Sequence, residues 1–126
     1  MPIKDLAKFF DHAATTVFGT RGWLVLVNDA GEQIGQIYLR TRPPRSKFVS
    51  QVDLASVSID PEHWRQGHFK RAVAEVLEHA KRYRYTEVFA ENVVNTNLVD
   101  WFGRQPEWVK EPDGSWDVPS YTYTFK

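Results

Sequence analysis

The chain has 126 residues, enough to bury one core and too few for two. Sixteen Lys and Arg balance sixteen Asp and Glu, so the formal net charge is zero, which argues against broad binding to nucleic acid or anionic membranes. There is no Cys, which excludes disulfides, thiolate metal sites and Cys nucleophiles. At 42% hydrophobic and 25% charged residues the chain reads as an ordinary globular protein. The first dozen residues mix acids and bases and lack an apolar h-region, so they do not read as a signal peptide. No apolar run approaches the ~20 residues that span a bilayer. A cytoplasmic location is the expectation.

In chain order, Ile3, Leu6, Ala7, Phe10, Ala13 and Ala14 fall at helical spacing, which predicts an amphipathic helix over residues 3–14, within an N-terminal segment 1–20. Residues 23–27, Trp-Leu-Val-Leu-Val, are apolar on both faces, as in a covered central strand. Turn chemistry at residues 28–31 and a returning strand at 33–39 make a hairpin. Pro43 and Pro44 then force a loop, whose Arg40, Arg42, Arg45 and Lys47 form a basic cluster. A strand is expected over residues 48–59. The long helix that follows carries an apolar stripe of Phe69, Val73, Val76, Leu77 and Ala80. Arg71, Glu75, Glu78 and Arg82 are expected in water, with Glu78 and Arg82 spaced i,i+4. Residues 86–91 make a strand, parallel to the one before the helix. After a polar turn at 92–97 come a short helix through Phe102, a stop at Pro106, and a closing hairpin of residues 108–110 and 116–125. The fold class is α+β, one domain over 1–126, with a largely antiparallel sheet containing one parallel step.

The turn between strand and long helix admits two readings. Asp60, Pro61 and Glu62 spell a plain helix start, but that places Gly67 inside a helix at a cost of about 1 kcal/mol against Ala. Alternatively residues 60–66 form a tight turn and the helix starts near Gly67. Backbone donors from Arg65, Gln66, Gly67, His68, Phe69 and Lys70 would then converge on a phosphate. His12, His63, His68 and His79 lack metal-site spacing. No nucleophile elbow, Walker loop or dinucleotide fingerprint is present.

The order of elements, with Trp64-Arg-Gln-Gly67-His-Phe69 in the turn and Asn95-Thr-Asn-Leu98-Val-Asp-Trp-Phe102 in the short helix, resembles the general N-acetyltransferase (GNAT) superfamily. The likeness is to its small single-domain members in bacteria and phages. It implies a GNAT-like sheet and an acyl-CoA-binding domain, with residues 49–84 as a strand-turn-helix cofactor cradle. Acetyl-CoA would be the acyl donor. Main-chain groups of Val57, Ser58 and Ile59 would run along the pantetheine arm, residues 65–70 would hold the pyrophosphate, and Asn95 the far side of the arm. Counting back fourteen residues from Gly67, as the histone-modifying branch does to its catalytic Glu, gives Asp53 as general base. Strand alternation puts Asp53 on one face with Ala55, Val57 and Ile59. Glu91 is the second candidate. The base must lower an amine of pKa ~10.4 to near pH 7, roughly 4–5 kcal/mol. Phe102 stands where the family carries a Tyr acid, leaving water, Tyr121 or Tyr123 to protonate the CoA thiolate. The acceptor would be an amine, small or on a protein. The other implied role is a catalytically weak GNAT scaffold that binds CoA or a partner protein.

Overall fold

The computed structural model describes residues 2–16, 18–42, 50–91, 93, 96–112 and 118–125. Three helices and six strands follow in the order α1 (Leu6–Ala13), β1 (Thr20–Val27), β2 (Gln33–Thr41), β3 (Gln51–Ile59), α2 (His68–Arg82), β4 (Glu87–Ala90), α3 (Thr96–Gly103), β5 (Trp108–Lys110) and β6 (Tyr121–Thr124). One six-stranded sheet runs β1-β2-β3-β4-β6-β5. Only β3 and β4 pair in parallel, across α2; the other four pairings are antiparallel. This is the mixed α+β sheet that the order of elements predicted.

Helix α1 buries Leu6, Phe9, Phe10 and Ala13, the i, i+3, i+4, i+7 set. Phe10 stacks on Tyr83 at the end of α2, with ring centroids 5.3 Å apart, so both helices cover the same face of the sheet. That face contributes Leu26, Ile37, Leu39, Val52, Leu54 and Val88 to the core, all nearly inaccessible to solvent. Phe102 of α3 sits among Phe69, Trp101, Trp108 and Tyr121, which closes the core at its far end.

Four expectations change. Strand β1 lies at the sheet edge rather than its centre, and its Trp23 is 53% exposed. Its outer side is partly covered by residues 2–4, which extend rather than join the helix. Ile3 bridges Leu26, Lys4 N–H donates to Val25, and Val27 N–H donates to Pro2. Second, this docking buries Glu75, assigned to water from helical periodicity, because its Oε2 accepts the Ile3 N–H at 3.0 Å. Third, the strand before the turn begins at Gln51 among the described residues; Phe48 and Val49 lie outside them. Arg45, Lys47 and the tip of the closing hairpin, residues 113–117, also lie outside.

Fourth, β3 does not alternate strictly. The partner of Tyr38 is Ser56 but that of Leu39 is Leu54, so Ala55 is an extra, unpaired residue. The bulge reverses the parity of the strand. Val57 pairs with Ile37 and Asp53 with Arg40, positions on opposite faces of β2. Asp53 therefore does not share a face with Val57 and Ile59. It lies on the far side of the sheet, with Ser56 and Ser58.

Candidate functional site

The turn after β3 takes the second of the two readings. Residues Pro61–His63 form a single 3-10 turn, and α2 begins at His68 with Gly67 as N-cap at φ 80°. Arg65 is also left-handed, at φ 62°. For a residue with a Cβ this costs about 1–2 kcal/mol, a strain typical of functional turns. No side chain caps the helix, and Arg71 N–H to the Gly67 carbonyl (3.1 Å) closes the first turn. The first-turn N–H groups have no intrahelical partner.

They open onto a cavity of about 650 Å³. Val57 and Ile59 form one wall; Arg65, Gly67, His68, Phe69 and Lys70 the base; Leu98, Trp101 and Arg104 of the α3 region the opposite wall. Arg65, Lys70 and Arg104 are its cations, facing only Asp100 as an acid among the lining residues. Of the residues expected here, Ser58 and Gln66 do not line it. Asp60 N–H donates to Ile34 across the sheet, so by alternation Ser58 is spent on β2 while Val57 and Ile59 turn their main-chain groups outward. The Gln66 carbonyl instead accepts from Arg71 Nη2 (3.1 Å) and its side chain meets His68. Asn95 lies outside the described residues. The sequence reading missed Trp64, Trp101 and Arg104. The indole of Trp64 donates to the Ile59 carbonyl at 2.6 Å.

A narrower slot of about 120 Å³ continues from the cavity and shares Val57, Phe69 and Leu98 with it. It lies where β3 and β4 part, beyond the last parallel pair, Leu54 and Ala90. Ala55, Ser56 and Glu91 are among its lining residues. Phe102 lines it too, 1% exposed, with Tyr121 stacked behind it at 4.9 Å. Burial and the charge of Asp100 raise the Tyr121 pKa, and its hydroxyl faces the Val99 carbonyl at 3.5 Å. Tyr123 packs instead on Trp108 and Phe125, away from the slot.

Asp53 is wholly buried and fully engaged. Its Oδ2 accepts from Arg42 Nε at 2.6 Å and lies 3.4 Å from Arg40 Nη2, and its Oδ1 accepts from Gln51 at 2.5 Å. Asp53, by its hydrogen bond and then its charge, raises the Arg42 pKa. Arg40 also donates to Glu91, whose side chain is 25% exposed. Of the two carboxylates proposed as base, Glu91 lines the slot and Asp53 does not.

Burial first, then the charges of Arg71 and His63, push His68 below its ordinary value of 6.5. A guanidinium only donates, so the 2.8 Å contact from Arg71 Nη2 makes Nδ1 an acceptor and the ring neutral. The unfolded chain binds this proton first as pH falls. Stability present above pH 6.5 is therefore lost as pH drops toward and through the lower folded value. Urea midpoints at pH 7 and pH 5 should differ less in His68→Gln than in the parent protein.

Over residues 3–104 the sequence matches the family model described as the acetyltransferase (GNAT) family. The chain belongs to that family. A comparison with proteins of curated function finds no match. Similar solved structures include a putative acetyltransferase from Agrobacterium tumefaciens (12% identity, TM-score 0.63, 97% of this chain and 87% of that one). Another is a GNAT family acetyltransferase from Elizabethkingia anophelis with acetyl-CoA bound (14%, 0.57, 98% and 86%). A third is the PaiA N-acetyltransferase of Thermoplasma acidophilum in complex with coenzyme A (17%, 0.60, 83% and 61%). At these identities the likeness is one of fold. Among the described residues no helix is long and apolar enough to cross a membrane, and no group of three His, Asp or Glu is set to hold a metal.

The turn also makes a direct prediction. Proline fixes φ near −65° and lacks an N–H, so Gly67→Pro cannot keep the left-handed cap. Calorimetry should then show acetyl-CoA affinity lowered more than tenfold; an unchanged affinity would remove the turn from the binding site.

Proposed function

We propose that this GNAT protein is an acetyl-CoA-dependent N-acetyltransferase of the cytoplasm acting on an amine. The observation that carries the reading is one continuous path. It starts at the uncapped amides and cations of residues 65–70, runs past the outward main chain of Val57 and Ile59, and ends at Glu91. A chain of anionic phosphates, an amide-bearing arm and a thioester matches that sequence of environments in order. Helix-terminal amides and Arg65, Lys70 and Arg104 suit the phosphates. The outward main-chain groups of Val57 and the Ile59 N–H suit the amides of the arm, the Ile59 carbonyl being taken by Trp64. Bound acetyl-CoA supplies an activated acyl carbon at the slot.

Glu91 then takes the acceptor's proton, being the carboxylate that both lines the slot and retains contact with solvent. Asp53, anchored by three donors, holds Arg40 and Arg42 in place instead. The raised pKa of Tyr121 keeps its phenol protonated, one ring behind Phe102. A second reading, a catalytically weak protein that binds CoA or a protein partner, is favoured by one observation. Phe102 fills the usual acid's place with a buried phenyl ring.

Titration of acetyl-CoA by calorimetry tests the shared claim, and absence of binding at high micromolar ligand ends both readings. Labelled acetyl-CoA with a panel of amines separates them. Transfer that is lost in Glu91→Gln while acetyl-CoA affinity is kept supports the enzyme; binding without transfer to any acceptor supports the binding protein.

A further inference from the structure

We infer that the acceptor is a small zwitterion of the amino-acid class, recognised by Glu91 and the Arg40–Arg42 pair, an inference that rests on the acetyl-transfer reading above. The slot is lined by residues from both faces of the sheet. They include Ser56, which belongs to the face opposite the helices, and Glu91, which is bonded to Arg40 of that same face. No described helix covers this face, since α1, α2 and α3 all pack on the other. An acceptor approaching from it meets the ion cluster first.

The cluster has an asymmetry between what is buried and what is reachable. Asp53 is sealed at 0% exposure, while the side chains of Arg42, Arg40 and Glu91 are 49%, 32% and 25% exposed. A ligand therefore meets one carboxylate beside two guanidiniums, with Arg42 Nη2 3.9 Å from Glu91 Oε2. Arg40 also keeps a buried Nε–H without a partner among the described residues. An ammonium and a carboxylate joined by one carbon can insert between these groups. The ammonium replaces guanidinium on Glu91, the carboxylate replaces Glu91 on Arg42, and every charge stays paired. A polycation would instead be set beside two fixed guanidiniums, at a like-charge cost. Tyr38, directly across from Ser56, packs at a tilt against Trp23, ring centroids 5.0 Å apart, and offers an aromatic surface on the same face for an apolar side chain.

The transfer balances. The ammonium gives one proton to the Glu91 carboxylate, and the freed nitrogen lone pair attacks the thioester carbon. A C–N bond forms, the C–S bond breaks with its pair on sulfur, and the second proton that the nitrogen sheds on becoming an amide passes to the thiolate, while Glu91 returns the first to solvent. The products are the N-acetyl amino acid and CoA.

Initial rates with acetyl-CoA and three probes test this: L-phenylalanine, phenethylamine, which lacks the carboxylate, and spermidine. The expected kcat/KM for L-phenylalanine is at least tenfold above both others. Arg42→Gln should raise KM for L-phenylalanine at least tenfold, and should narrow the gap in kcat/KM between L-phenylalanine and phenethylamine; a gap that stays as wide overturns the role of Arg42. Equal or better use of phenethylamine or spermidine overturns the inference while leaving acetyl transfer intact. Where acetyl-CoA binds but no probe is acetylated, calorimetry of L-phenylalanine against CoA-loaded protein decides, and absence of binding overturns the inference. Failure to bind acetyl-CoA removes the underlying reading itself.

Discussion

Asp53→Ala is expected to lower the stability of the fold by about 3 kcal/mol in urea denaturation. Deleting one partner of a buried ion pair costs about 3–5 kcal/mol, since the groups left behind have lost water and gained nothing. Here the abandoned groups are the guanidiniums of Arg40 and Arg42, plus the amide of Gln51. Both arginines keep some exposure and can partly rehydrate, which places the effect at the lower end of that range. Asn at this position keeps the volume and one acceptor, so Asp53→Asn should lose less. Acetyl-CoA affinity of the folded fraction should not move, because the carboxylate faces away from the cavity. A loss below 1 kcal/mol together with abolished acetyl transfer would return Asp53 to the role of base that its spacing from Gly67 suggests.

Gly35→Ala is the second change expected to cost about 3 kcal/mol, the upper part of the range for overpacking. A Cβ built on Gly35 would stand 2.0 Å from the Ser58 carbonyl oxygen and 2.9 Å from the Ile59 Cα. Both are main-chain atoms, so no rotamer change relieves the collision; β2 and β3 must separate. Ile34 and Ile37 on either side are fully buried and resist that movement. Since β3 also presents Val57 and Ile59 to the cavity, the same substitution should weaken acetyl-CoA binding in calorimetry. A thermal midpoint within two degrees of the parent, on the order of the shift for a few tenths of a kcal/mol, would show that the strands yield there at little cost.

Local signals carried much of the fold. The helices announce themselves by period, with Leu6, Phe10 and Ala13 in α1 and Val73, Val76 and Ala80 in α2. The cofactor turn was legible as one of two options. Gly67 decided between them, because only a residue at ease with positive φ can end such a turn. What stayed hidden depends on contacts distant in sequence. Glu75 has the chemistry of a solvated residue, and its burial follows from an N–H 72 positions away. Trp23 to Val27 read as central because apolar residues occupy both faces, yet the strand is an edge that, among the described residues, is partly covered by residues 2–4. The Arg40–Asp53–Glu91 cluster joins three strands, and nothing in the order of residues pairs a basic loop with those acids. Arg104, just past α3, lines the cavity because that helix packs Trp101 and Phe102 on Phe69 at the start of α2.

The extra residue at Ala55 is one that the hydrophobic pattern does not need. On one side of it Val52 and Leu54 face the helices; on the other Val57 and Ile59 do. These sets are separated by an odd number of positions, and the unpaired residue reconciles them. Removing it would leave an even spacing, and strict alternation would then keep both sets on the helices and Asp53, Ser56 and Ser58 on the other face. What a bulge adds is a bend and a stronger local twist. It adds them where β3 leaves β4, just past the Leu54–Ala90 pair. A deletion of Ala55 should therefore spare the core and be felt in the slot that Ala55 lines.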